Sequence, residues 1–211
     1  MTTSSPLASP LASPRLADRV AWSGDNPGIY LQDEQGRWQT LAVYFRVVVS
    51  PHGSGCGMLV LGDPDGNKGW PESPNLLIGD NEPLMRWLVS DFVSRFASFR
   101  GKPGLASMAY LPSVRHQSTG DGRTYHEEHM AAQSVHLTMR WDNLAAPFAA
   151  DVPPALSATG EHRMTSVFVE ASQGKILLNG QSLPGSLITR DFLGGRMSTA
   201  FLAFSETWLN P

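Results

Sequence analysis

The stretch WQTLAVYFRVVV, Trp38 to Val49, decides the fold class. Val43, Tyr44, Phe45, Val47, Val48 and Val49 are β-branched or aromatic, and Arg46 is the one charge among them. A run this apolar and this rich in β-formers reads as a long strand covered on much of both faces. The turn-rich Ser50-Pro51-His52-Gly53-Ser54-Gly55 follows, then an apolar segment at 58–61, which together predict a hairpin. Residues 62–74 carry Gly and Pro at short intervals and read as a surface loop of the length that often serves function.

Working outward, helical spacing replaces period two once. Asp80 or Asn81 can accept from the free amides of a first turn, and Glu82 and Pro83 suit that turn. Leu84, Leu88, Phe92, Phe96 and Phe99 then recur every three or four residues until Gly101 and Pro103. This predicts one long amphipathic helix laid on a sheet. Strands are expected at 106–111, 132–141, 164–170, 175–178 and 199–204, with a turn at 171–174 and an irregular loop at 145–160. With many strands and one helix, parallel crossovers are ruled against. The expected fold is mainly β (α+β): a curved antiparallel sheet or β-barrel with the helix packed on it.

The repeat Pro6-Leu-Ala-Ser, Pro10-Leu-Ala-Ser, Pro14 blocks helix and removes amide donors. Residues 1–20 are therefore expected to be a disordered tail, and 21–211 a single globular domain. Sixteen Lys and Arg against nineteen Asp and Glu give a formal charge of -3, with no basic tract to neutralise a row of phosphates, so nucleic acid is not an expected partner. No run nears the ~18 to 20 apolar residues that cross a bilayer, and the N-terminus lacks the pattern of a secretory leader. The expectation is a cytoplasmic protein without a membrane partner. The single cysteine, Cys56, excludes an intramolecular disulfide and a cluster of cysteine ligands within one chain.

The densest group of ionisable residues is Tyr125-His126-Glu127-Glu128-His129, with His116 before it and His136 after. In an extended segment His126 and Glu128 share a face. Carrying the alternation forward puts His136, Thr138 and Arg140 on that face too, and turning it inward would line a hollow with imidazole, carboxylate and guanidinium. His126, Glu128, His136 and Arg140 are thus the expected catalytic residues, fitted to proton transfer near neutral pH. His126, Glu128 and His129, or His126, Glu128 and His136, are the alternative as ligands to zinc or iron; the other expectation is no cofactor. Exact motifs fail. The second histidine falls one place early for His-Glu-x-x-His, and His126-x-Glu128 lacks the Pro-Cys-x-x-Cys that a deaminase needs. Arg190-Asp191 reads as a surface ion pair, with an anion-holding pair as the alternative.

Three functions follow as expectations. The first is a small-molecule-binding barrel-like protein, extending to a cofactor-independent lyase, isomerase or hydrolase that uses His and Glu. The second is a non-enzymatic interaction protein forming a homo-oligomer. The third is a metal-dependent enzyme.

Overall fold

The computed structural model describes residues 19–211. The expected tail at 1–20 lies outside them except for its last two residues, and the first strand already starts at Val20. Strand accounts for 53% of the described residues and helix for 11%.

The N-terminal half builds β1 (Val20–Asp25), β2 (Gly28–Gln32), β3 (Trp38–Val49), β4 (Gly55–Leu61), β5 (Asn75–Gly79), α1 (Glu82–Asp91), β6 (Ala109–Pro112) and β7 (Arg115–Gly120). The second half builds β8 (Tyr125–Ala131), β9 (His136–Leu144), β10 (Phe148–Val152), β11 (Arg163–Leu178), β12 (Gln181–Ser182), β13 (Thr189–Phe192), β14 (Gly195–Ser198) and β15 (Ala200–Leu209). Thirteen of these strands form one curved sheet with the path β6-β5-β4-β3-β1-β15-β11-β9-β8-β7. Pairing is antiparallel except between β5 and β6. The strands at its two ends, β6 and β7, are consecutive in the chain. Between them Ser113 N–H donates to Gly79 and Val114 N–H to Ala131, so two adjacent residues hold opposite ends of the sheet.

The β3 sequence works as its composition requires. Thr40 to Phe45 are all buried, because both faces of the strand are covered. Leu41, Val43 and Phe45 join α1 through Leu84, Met85 and Leu88, while Ala42 and Tyr44 join the other face with Met58, Val60, Leu137, Met139 and Trp141. That second cluster takes side chains from both halves of the sheet, so the concave face is filled with hydrocarbon. α1 sits unusually close where Gly57 and Gly79 pair: a Cβ on Gly57 would lie 2.2 Å from Met85 Sδ.

Three expectations need correction. The helix is not long: it spans ten residues, and a 3-10 turn at Val93–Arg95 follows. Ser90 Oγ donates to the Trp87 carbonyl and Ser94 Oγ to that of Ser90, local bonds that compete with helix continuation, while Phe92, Phe96 and Phe99 stay buried. Residues 171–174 are no turn, because β11 runs unbroken through them to Leu178. Part of 145–160 is not loop: β10 pairs along β11 from Phe148 to Val152.

Candidate functional site

The β7, β8 and β9 hairpins place the residues singled out by the sequence. Glu128 pairs with Met139, Glu127 with Arg140, and Ala131 with His136. Paired residues share a face. His126 and Glu128 therefore point to the concave side with Met139 and Trp141, whereas His136, Thr138 and Arg140 lie on the outer side with Glu127 and His129. The expectation that one inward face holds His126, Glu128, His136 and Arg140 is thus overturned. A four-residue connection, Ala132 to Val135, sets even-numbered residues opposite odd-numbered ones, so alternation counted straight through the turn loses its phase.

On the concave side a polar chain forms at one edge of the hydrocarbon. Glu128, 4% exposed, accepts from Ser118 Oγ at 2.5 Å and lies 2.8 Å from His126 Nε2 and 3.0 Å from His116 Nε2. Tyr44 Oη is 2.8 Å from the same His116 nitrogen, and the two rings stack. Burial pushes the Glu128 pKa up, but the hydrogen bonds from His126, Ser118 and His116 outweigh it and hold the carboxyl below its ordinary range. Burial, reinforced by the Glu128 charge, raises the Tyr44 phenol. Burial also raises the Cys56 thiol, so that sulfur is not activated.

On the outer side Arg140 bridges Glu127 and Asp142 at 2.6 Å each and covers the Tyr125 ring. His129 reaches Thr138 and Glu127, and His136 is exposed. Neither expected ligand triad converges, since His129 and His136 face away from His126 and Glu128. Among the described residues no three His, Cys, Asp or Glu are grouped to hold a metal ion.

A second constellation lies on the helix side; of its polar residues the sequence singles out only Arg190 and Asp191. Along β15, Ala200, Leu202 and Phe204 face the concave side. Ser205 then adopts φ +51°, and the pairing with β11 slips between Thr165 and Val167. This bulge inserts one residue and so turns Glu206 and Trp208 to the helix side. Asp25 pins it by accepting from Ser205 N–H at 3.0 Å while pairing with Arg46. Glu206, 3% exposed, accepts from Asn26 Nδ2 at 3.0 Å and from Trp208 Nε1 at 2.7 Å. Its burial raises the pKa to about 7.

These residues border a cavity of about 280 Å³ whose apolar wall includes Tyr30, Phe96, Phe168, Phe192, Phe201 and Trp208. Over it lies the β13–β14 hairpin, paired only with itself, with Leu193 and Gly194 at its tip at φ +49° and +81°. The hairpin delivers Arg190, whose guanidinium carbon lies 5.4 Å from the Tyr30 ring centre, 5.5 Å from that of Phe192 and 5.8 Å from that of Phe201. Arg190 forms no ion pair among the described residues, which corrects the expected pairing with Asp191. Its buried Nε has no partner, and neither has the buried Asn26 Oδ1. A broader groove of about 570 Å³ adjoins the cavity, sharing Val152, Leu156 and Leu193 as walls.

The one available signal was the polar Ser205-Glu206 pair interrupting an apolar strand before Trp208. Among the described residues no helix is long and apolar enough to cross a membrane. Comparison with protein-family models, with curated proteins and with solved structures finds no match.

Proposed function

We propose that this protein binds a small, largely apolar molecule in the cavity beneath the β13–β14 hairpin. The observation that carries this reading is one open cleft that combines an aromatic wall with buried polar atoms, Arg190 Nε and Asn26 Oδ1, that have no partner among the described residues. Buried polar groups are nearly always paired, and ligand sites are apolar pockets with a few convergent polar groups. Glu206 adds a carboxyl able to exchange a proton near neutral pH. Describing the sheet as a closed barrel belongs to the same reading, supported by the Ser113–Val114 link between its two ends.

The test is a titration with aromatic fragments of about ten non-hydrogen atoms, the number that fits if each takes roughly the volume of a water. Fragments should shift the Trp208 indole signal saturably, and Ala158→Trp, which fills the cavity, should abolish the shift. Failure of every fragment to move that signal overturns the reading.

A second reading, cofactor-independent acid–base chemistry, is favoured by the Tyr44–His116–Glu128–His126 chain. An ionised, buried carboxylate that orients two imidazoles is the arrangement that general-base chemistry uses. Imidazole N–H signals of His116 and His126 test it. Their loss or displacement in Glu128→Gln supports it, and signals indifferent to Glu128 remove it.

A further inference from the structure

The cavity carries more information than its shape. A guanidinium keeps its charge at every physiological pH, and taking it from water without a counterion is costly. Arg190 is half-buried: its Nε is buried and unpartnered, three aromatic rings surround the guanidinium, and among the described residues no carboxylate pairs with it. The ring faces offset part of that cost, because their quadrupoles attract a cation. They supply no acceptor, so an anion on the accessible edge of the guanidinium would complete the site.

The neighbouring acid does not do this. Glu206 is already engaged, with Oε1 accepting from both Asn26 and Trp208, and no ion pair links it to Arg190. Asp191 borders the cavity as well, but it is exposed and follows Arg190 along a strand whose side chains alternate. The rest of the wall sets the body of the ligand: aromatic on most sides, with room for on the order of ten non-hydrogen atoms. Leu156 and Leu193, both substantially exposed, stand where the cavity meets the adjoining groove and give an apolar molecule a path inward.

We propose that the ligand is a monoanion with a compact apolar body, an arylalkyl or medium-chain carboxylate, whose carboxylate bonds Arg190 and whose body lies against Phe201 and Trp208. This deepens the small-molecule reading above and rests on it. Asn26 Oδ1 remains as an acceptor for a hydroxyl or N–H carried on such a body.

Three probes of one skeleton test the proposal by calorimetry at pH 7.5: 4-phenylbutyrate, 4-phenylbutan-1-ol and 4-phenylbutylamine. The expected order places the acid at least tenfold tighter than the alcohol, with the amine weakest. Arg190→Met should weaken the acid tenfold or more and change the alcohol less than twofold. Arg196→Met, an exposed position on the opposite strand of the hairpin, should change neither. Arg190→Gln, carried beside Arg190→Met and checked by its amide spectrum, separates loss of charge from loss of the hairpin fold. Equal affinity for acid and alcohol, or an acid affinity indifferent to both Arg190 variants, overturns the anion class while leaving the pocket standing. If no probe binds and the Trp208 indole signal stays put, the pocket itself is refuted.

Discussion

Two buried carboxylates set opposite acid–base behaviour. Glu128 is ionised and fully engaged by three donors, so Glu128→Ala leaves His126 and Ser118 unpaired and His116 with Tyr44 alone, and should cost on the order of 3 kcal/mol. Its folded pKa lies below the ordinary 4.5. The stability it contributes is therefore present above pH 4.5 and lost as pH falls through the lower folded value; urea midpoints across the acid range should show that limb vanish in Glu128→Gln. Glu206 runs the other way, its pKa raised from 4.5 to about 7. Between those values the unfolded chain releases the proton first, so stability falls as pH rises, by up to about 3 kcal/mol. Glu206→Gln, a neutral isostere, should flatten urea midpoints between pH 5 and 8 and be the more stable protein at pH 8. A variant that keeps the wild-type slope would show that the carboxyl is not buried as described. The sequence made Glu128 conspicuous by its histidine neighbours. Glu206 stood alone between Ser205 and Thr207, and nothing local marks a lone acid as buried.

At the scale of elements, what could be read was type and what could not was phase. The apolar density of Trp38 to Val49 identified a doubly covered strand without further help. The outward placement of His136 and Arg140 depended on the even loop between β8 and β9, and that of Glu206 on one bulged residue, Ser205. Each shifts a period-two pattern by one, which reverses every side chain beyond it. The early end of α1 has a similar origin, since serine hydroxyls bonding to nearby carbonyls leave no mark on the spacing of Phe92, Phe96 and Phe99. Close packing of α1 is testable through the glycine beneath it. Gly57→Ala should cost about 1 to 3 kcal/mol by overpacking against Met85. Adding Met85→Ala should relieve much of this, giving a double-mutant coupling of about 1 kcal/mol in chemical denaturation. Additive costs would deny the contact.

For the whole molecule, the C-terminal strand is central, not peripheral. β15 lies between β1 and β11, so strands far apart in the sequence share it as a partner. Ending the chain after Thr199 should thus leave β1 and β11 without their shared partner, and amide signals should collapse to the narrow dispersion of an unfolded chain. A dispersed spectrum would contradict this topology. The same strand joins the two polar constellations: Phe204 meets His126 on the concave side, and beyond the bulge Glu206 and Trp208 wall the cavity. The concave side is packed, and the space for a guest is on the helix side. A crystal structure of the protein soaked with 4-phenylbutyrate measures this directly. Density between Phe201 and Trp208, with the carboxylate on Arg190, is the predicted result; a guest held instead at His116 and Glu128, or an unchanged cavity, would contradict it.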